Sequence, residues 1–163
     1  TGDVVGKIFA PSNPIYLRNL LLAIEENRVN SNLEDFTTMT EATHWTGTIQ
    51  GQDINLIDKY QVPIFDIEIG STLESWKNPV AESVLANSLF RVFDDDIKPE
   101  LKDIKVLLCT GGMHFEETFS NVIINTEKPV SIGHILSNQW MVQGEYDKEE
   151  NYQYLKKLPS TSL

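Results

Sequence analysis

Two stretches of the chain place apolar residues at the spacing of an α-helix. In the first, Asn13 can cap the helix and Pro14 suits its first turn, so we predict a helix from Pro14 to about Asn27. In the second, Asn78 and Pro79 have the same roles, and the pattern ends before an acidic run. The apolar stripes are Tyr16, Leu17, Leu20, Leu21 and Ile24 in the first helix, and Val80, Val84, Leu85, Leu89 and Val92 in the second.

Other stretches have the composition of strands. One alternates apolar with acidic residues and would expose Asp66 and Glu68 on one face. Another is continuously apolar, as in a parallel strand that is buried on both faces. The four predicted strands are Phe36 to Thr40, Pro63 to Gly70, Ile104 to Cys109 and Pro129 to Leu136.

The order of these elements predicts the α/β class. Helices separate the strands, including a short one expected over Glu116 to Asn125, while Gly47 to Asp58 fits neither pattern. We therefore expect one α/β domain over residues 1–163, with a mostly parallel or mixed central sheet and a polar C-terminal extension at 143–163. The opening Thr1-Gly2-Asp3 lacks an initiator methionine and looks like mid-domain sequence, which indicates a fragment.

Composition narrows the class of protein. With 163 residues, 40% of them hydrophobic and 23% charged, the chain has the make-up of a soluble globular domain, and its apolar runs are too short to span a membrane. It has one cysteine and no secretory signal, so we expect a cytoplasmic protein. The net charge of −11 repels nucleic acid, although a local basic patch could still hold the end of an RNA.

The clearest candidate site is a glycine pair that follows the apolar strand ending at Cys109. Backbone N–H groups of Gly111 and Gly112 could converge there on an anion or a developing oxyanion. His114 follows two residues later and would lie beside that anion at the carboxyl edge of the sheet.

The three histidines of the chain, His44, His114 and His134, each follow or end a predicted strand or turn. We predict that at least two of them share a cleft, although three structural histidines would give the same pattern. Glu41 lies three residues before His44 and could orient a histidine, and Asp66 and Glu68 add carboxylates. His44, His114 and Asp66 are candidate zinc ligands, but a solvated strand face explains the carboxylates equally well.

Cys109 precedes the glycine turn and could be a nucleophile activated by His114. Its apolar neighbours favour a small buried core residue instead.

Taken together, these motifs resemble the archaeal and plant type of D-aminoacyl-tRNA deacylase, also called archaeal-type D-tyrosyl-tRNA deacylase. The resemblance contains all three histidines and spans about Thr40 to Leu136. After the glycine motif that family usually continues with a tyrosine and small and basic residues, whereas Phe115-Glu116-Glu117 follows here. The matching blocks are Thr40-Glu41-Ala42-Thr43-His44, Phe65-Asp66-Ile67-Glu68-Ile69-Gly70-Ser71-Thr72, Gly111-Gly112-Met113-His114-Phe115 and Ser131-Ile132-Gly133-His134-Ile135.

The resemblance implies hydrolysis of the ester between a D-amino acid and the 3′ end of tRNA, which frees both. It also implies zinc dependence, a monomer, an N-terminal α/β portion ahead of the matched region, and a three-layer fold related to phosphorylases and peptidyl-tRNA hydrolases, with helices on both faces of the sheet. His114, with His44 or zinc, would activate water, and Gly111 and Gly112 would hold the oxyanion. Glu41 or Glu68 would orient a histidine, His134 would line the cleft, and Thr43 would contact substrate.

Two other functions fit the same residues. One is a phosphorylase-like or esterase-like enzyme that acts on a nucleoside or a small ester, which suits the acidic charge. The other is a non-catalytic module that binds a tRNA end or a nucleotide through its histidines.

Overall fold

The computed structural model describes residues 2–3, 8–9, 11–43, 62–93, 103–125, 129–145 and 148–151. Helices and strands alternate through these ranges, which confirms the mixed α/β class. The helices are α1 (Pro14–Asn30), α2 (Leu73–Trp76), α3 (Pro79–Arg91), α4 (Glu117–Ile124) and α5 (Asn138–Gln143). The strands are β1 (Gly2–Asp3), β2 (Ile8–Phe9), β3 (Thr40–Glu41), β4 (Lys105–Thr110), β5 (Phe115–Glu116) and β6 (Val130–Leu136). Within these ranges no helix combines the length and the apolar character that a bilayer crossing requires.

The two long helices begin at the predicted caps. Oδ1 of Asn13 accepts a hydrogen bond from the amide of Tyr16 at 3.1 Å, and Pro14 is the first helical residue of α1. Oδ1 of Asn78 accepts hydrogen bonds from the amides at the start of α3, at 2.9 and 3.1 Å. Both predicted helices are confirmed because these side chains satisfy backbone donors that the helix leaves unpaired.

Strands β4 and β6 form a parallel pair, with α4 between them along the chain. Both strands and this helix lie where the sequence predicts them. The prediction that the first of these strands is buried on both faces is wrong, since the side chains of Val106 and Leu108 are 38% and 43% exposed. Among the described residues β4 pairs only with β6, and α1 packs against β6, so one face of β4 stays open.

Two other predicted strands differ from the structure. The strand predicted over Phe36 to Thr40 begins only at Thr40, and residues 62–70 form no strand with the described residues. Phe65, Ile67 and Ile69 are nevertheless half-buried there while Asp66 and Glu68 are exposed. The alternation therefore marks an extended segment with one face against the protein, a pattern that does not require a strand partner.

The described strands form three pairs, and a larger central sheet is not seen among the residues that the structure describes. The pair β1–β2 is antiparallel, as is β3–β5, and β4–β6 is parallel. The three-layer arrangement stays a prediction. Gly47 to Asp58 and most of the extension at 143–163 lie outside the described residues.

The core lies on β6. Its residues Ile132 and Ile135 are buried together with Ala42 and Ile123, so that β6, the segment after β3, and α4 share one cluster. Helix α1 packs on β6 and on α3. The contact between α1 and α3 includes a hydrogen bond of 2.9 Å from Asn27 Nδ2 to Ser88 Oγ. This core fixes the end of β6 near the segment that follows β3, which is where the candidate site lies.

Candidate functional site

A glycine turn follows β4, as the sequence predicts. Gly111 and Gly112 have φ angles of +101° and +71°, in the left-handed region that favours glycine. The amide of Gly111 donates to the carbonyl of Leu136 at 2.9 Å, and the carbonyl of Gly112 accepts from the amide of Asn138 at 3.1 Å. The turn is therefore attached to the carboxyl end of β6 and to the start of α5.

The carboxylate of Glu116 lies over this turn. It accepts from the hydroxyl of Thr118 at 2.8 Å and from its amide at 3.2 Å, and a Cβ added to Gly112 would lie 2.8 Å from Glu116 Oε2. These Thr118 hydrogen bonds, with a smaller one from the amide of Met113, lower the pKa of Glu116. The anion at the turn is thus a side chain of the protein itself.

This geometry occupies the Gly111 amide that was predicted to hold an oxyanion, while the same role of Gly112 stays a prediction. The Gly111 amide is already bonded to Leu136, and the carboxylate of Glu116 is closely packed against Gly112. An oxyanion would need donors that are still available and aimed at the reacting atom, which Gly111 does not offer here.

A short extended segment, residues 40–43, joins the two sides of the site. Thr40 and Glu41 pair with β5, and the amide of Ala42 donates to the carbonyl of His114 at 2.7 Å. The amide of Thr43 then donates to the carbonyl of Ile135 on β6 at 2.8 Å. Because alternate side chains of an extended segment point the same way, Glu41 and Thr43 face one side, and both line the same cavity.

Glu41 contacts His114. His114 Nε2 lies 3.0 Å from Glu41 Oε1, with the carboxylate side chain 12% exposed and the imidazole 51% exposed. At this distance the carboxylate can pair with a proton on Nε2, and that tautomer would leave the lone pair on Nδ1. The contact brings Glu41 and a histidine together, and the predicted role of this carboxylate in orienting a base stays a prediction.

Thr43 contacts His134 through its side chain. Its Oγ1 lies 3.2 Å from Nδ1 of His134 and accepts from the amide of Ile135 at 3.0 Å. The ring of Phe9 lies 5.5 Å from that of His134, centroid to centroid. Burial lowers the pKa of His134 to about 4, so its imidazole is neutral near pH 7.

A cavity of about 520 Å³ lies in front of these residues. Its wall includes Glu41, Thr43 and His134, and also the segment 64–71 with Asp66 and Glu68. His114 is not part of the wall that the described residues form, and it joins the site through Glu41. The volume is in the range of ordinary small-ligand pockets.

His44 lies outside the described residues. Within the described ranges, no three His, Cys, Asp or Glu side chains converge in a way that could hold a metal ion. His114 and Asp66 therefore do not fit a zinc site by themselves, and the predicted set depends on His44. The prediction that two histidines share a cleft also stays a prediction, because it depends on His44. His134 lies on the cavity wall, and His114 contacts Glu41, which lines the cavity.

Cys109 is half-buried and packs against the core cluster on β6. Burial raises the pKa of its thiol, which disfavours the thiolate that a nucleophile requires. The core interpretation of Cys109 is therefore the one that fits.

The sequence did not reveal the part taken by Glu116. In the sequence it stood out only as an acidic residue at a place where the family usually has basic ones. A hydrogen-bond acceptor at the start of a predicted helix is, however, a signal for a helix cap, and Glu116 caps this helix. The tilted ring contact between Phe9 and His134 had no signal, because the two residues are far apart along the chain.

Comparison with known proteins decides the family. A family model described as D-aminoacyl-tRNA deacylase matches residues 6–162, which is nearly the whole chain. The chain belongs to the D-aminoacyl-tRNA deacylase family. The resemblance seen in the sequence motifs is confirmed.

Relatives named D-aminoacyl-tRNA deacylase in two archaea have similar sequences. The protein of Caldivirga maquilingensis is 32% identical over 120 residues, covering 71% of this chain and 42% of its own length. That of Pyrococcus horikoshii is 32% identical over 130 residues, covering 78% and 40%. The chain thus spans about two fifths of the length of these deacylase relatives.

One solved structure has a similar fold. The crystal structure of a conserved protein of unknown function matches 91% of this chain and 54% of its own chain, with a TM-score of 0.62 and 19% sequence identity. At this identity the likeness concerns the fold alone, and it agrees with the α/β class described above.

Proposed function

We propose that this chain carries part of an active site that hydrolyses the ester between a D-amino acid and the 3′ end of tRNA. The family match over residues 6–162 supports this reaction. The observation that carries the proposal is the 3.0 Å contact between His114 and Glu41, beside a cavity that Glu41 also lines. A carboxylate-oriented imidazole is the group that ester hydrolysis needs to activate water.

The chemistry assigns a role to each of these groups. Nδ1 of His114 takes a proton from water while the water oxygen bonds to the ester carbonyl carbon. The tetrahedral intermediate then collapses, the bond to the tRNA 3′ oxygen breaks, and that oxygen takes the proton back from Nδ1. Glu41 holds the ring and stabilises the imidazolium that forms between these two steps.

The acidic wall of the cavity suits one feature of the substrate. An aminoacyl ester carries a free α-ammonium group, and Glu68, with Asp66 beside it, supplies negative charge on the cavity wall. Glu68 is therefore proposed to bind the substrate amino group, which would help to select the position of the side chain and hence the enantiomer.

The decisive experiment compares D-tyrosyl-tRNA with L-tyrosyl-tRNA in the full-length protein. We expect hydrolysis of the D-ester, with kcat lowered roughly 100-fold or more by His114→Ala and by Glu41→Gln because the base or its orientation is lost. Met113→Ala and Glu82→Gln are matched controls at exposed positions and should keep full activity. Unchanged hydrolysis by a folded His114→Ala variant would remove His114 from the reaction.

Zinc is a separate expectation from the family resemblance, with His44, His114 and Asp66 as the candidate ligands, and it is an alternative to the base role of His114 because Nδ1 cannot bind a metal and accept a proton at once. Metal analysis of the purified protein tests it directly. Stoichiometric zinc that is lost in His44→Ala supports the ligand set, and a metal-free protein that is fully active with D-tyrosyl-tRNA contradicts it. A three-layer fold, a cytoplasmic location and a monomeric state complete the proposal.

A further inference from the structure

The site needs a donor for the oxyanion, and one of the two predicted donors, the Gly111 amide, is occupied. The amide of Gly111 is bonded to Leu136, so the negative charge of a tetrahedral intermediate must meet another N–H or O–H group. His134 is a neutral imidazole on the wall of the cavity, and a neutral imidazole donates from one of its two nitrogens.

The contact with Thr43 bears on which nitrogen that is, because the two tautomers use the threonine hydroxyl differently. A threonine hydroxyl has one proton to donate and two lone pairs. One lone pair of Thr43 Oγ1 already accepts the Ile135 amide at 3.0 Å, and Nδ1 of His134 lies 3.2 Å away. If Nδ1 carried the proton, Thr43 would accept it with its second lone pair and would turn its own hydroxyl proton away from the ring. If Thr43 donates to Nδ1 instead, its hydroxyl is paired on both sides, and the donor left over is the Nε2–H of the ring.

We propose that Thr43 is a positioning residue that holds His134 with its proton on Nε2, and that this N–H donates to the carbonyl oxygen of the ester as it becomes an oxyanion. The inference rests on the deacylase function proposed above. It gives the two histidines opposite roles: His114 accepts a proton from water, whereas His134 donates a hydrogen bond and never changes its charge.

The surroundings of His134 agree with this role. Burial keeps the pKa of the ring near 4, so it does not compete with His114 as a base near pH 7. The backbone of Thr43 is also fixed, because its amide donates to the carbonyl of Ile135 at 2.8 Å. Thr43 and His134 are therefore held by the same pair of hydrogen-bonded segments, and the hydroxyl has little freedom to turn away.

The tautomer can be measured without any substrate. In the full-length protein labelled with ¹⁵N-histidine, long-range ¹H–¹⁵N spectra near pH 7 report which ring nitrogen is protonated, and His134→Gln identifies the signals of His134. We expect the proton on Nε2 in the unsubstituted protein and in Thr43→Ser, which keeps the hydroxyl. In Thr43→Val the population should shift toward Nδ1. A proton on Nδ1 in the unsubstituted protein overturns the proposal, as does a tautomer that Thr43→Val leaves unchanged.

Kinetics then test the donor role. We expect His134→Leu to lower kcat roughly 100-fold with little change in KM, because the donor acts on the oxyanion. His134→Gln places an amide N–H near the former Nε2 and should recover much of that loss. Thr43→Val should lower kcat roughly tenfold or more, and Thr43→Ser should restore it. Thermal unfolding of each variant separates these effects from a loss of folding.

The two proposals fail in different ways. A protein that shows the expected tautomer but hydrolyses no D-aminoacyl-tRNA contradicts the deacylase function and the donor role together, while the tautomer assignment stands. An active protein in which His134→Leu has normal kcat contradicts the donor role alone.

Discussion

At the scale of single residues, the glycine turn shows how a short motif can be recognised and yet misassigned. The positive φ angles of Gly111 and Gly112 agree with the expectation of a tight turn after a strand. Instead of facing an external anion, the polar backbone groups of the turn bind Leu136, Asn138 and the carboxylate of Glu116. Backbone donors in such a turn attract whichever anion is nearest, and here the chain supplies it four residues later.

Alanine substitutions distinguish the backbone strain from the steric contact. Gly111→Ala should cost about 1–2 kcal/mol of unfolding free energy, because its φ of +101° disfavours a side chain although the space is open. Gly112→Ala should cost more, because its Cβ would also displace Glu116 from 2.8 Å. Gly70→Ala, with nothing within 4 Å, is the control and should change little. Urea unfolding of the three variants measures the order.

The extra cost at Gly112 depends on Glu116 being in place. In a Glu116→Ala background, Gly112→Ala should therefore cost no more than Gly111→Ala does. Equal costs of Gly112→Ala with and without Glu116 would show that the carboxylate does not pack on the turn.

The buried imidazole of His134 makes folding sensitive to acid. Its pKa is about 4 in the folded protein and 6.5 in the unfolded chain, so the unfolded state binds the proton first. Above about pH 6.5 this shift does not change the free energy of unfolding. As the pH falls to about 4, it lowers the free energy of unfolding by roughly 3 kcal/mol. Urea unfolding at several pH values should show this loss in the unsubstituted protein and a smaller one in His134→Gln. An equal loss in both proteins would mean that His134 is not buried in its neutral form.

At the scale of elements, the helices were predictable and the strands only partly so. Asn13 and Asn78 cap α1 and α3 through contacts within three residues, which a sequence shows directly. The strands β4 and β6 were also found, because their apolar runs are long. The two-residue strands β3 and β5 had no reliable local signal, since each exists through its pairing with the other.

The two strands of the β4–β6 pair differ in how deeply their side chains are buried, and substitutions on them should therefore differ in cost. Ile132 on β6 has no exposed surface, so Ile132→Ala should cost about 2–5 kcal/mol of unfolding free energy. Leu108 on β4 is 43% exposed, so Leu108→Ala should cost less than about 1 kcal/mol. Chemical denaturation of both variants measures the difference. Similar large losses would mean that the outer face of β4 is covered.

At the scale of the whole molecule, net charge limits how the proposed tRNA substrate could be bound. The net charge of −11 opposes the approach of an RNA, so the proposed contact must be confined to the 3′ end and a few phosphates. A small ester or nucleoside substrate would face no such repulsion. The esterase-like alternative can therefore be distinguished from the tRNA substrate by experiment.

Salt dependence separates these substrates. With two phosphates contacted, KM for D-tyrosyl-tRNA should rise roughly sevenfold when salt is increased fourfold, because counterions compete for those contacts. Hydrolysis of a small D-tyrosyl ester by the same protein should be nearly indifferent to salt and serves as the control. A KM for the tRNA ester that is equally indifferent would favour recognition of the aminoacyl group alone.

The amino-acid sequence by itself determined the α/β class, the long helices with their caps, the parallel strands and the family. These features depend on short-range spacing, on long apolar runs or on motifs that stay in order along the chain. It also marked Glu41, His114 and His134 as candidate site residues, because they lie in the motifs that resemble the family.

Only the tertiary structure decided which of these residues contact one another. Glu41 meets His114 and Thr43 meets His134 because residues 40–43 lie between β5 and β6, which are separated from them by more than 70 positions. The same packing attached Gly111 to Leu136 and exposed Val106 and Leu108. Hydrogen-bond partners and burial are properties of neighbours in space, and the pattern of the chain constrains those neighbours only through the fold.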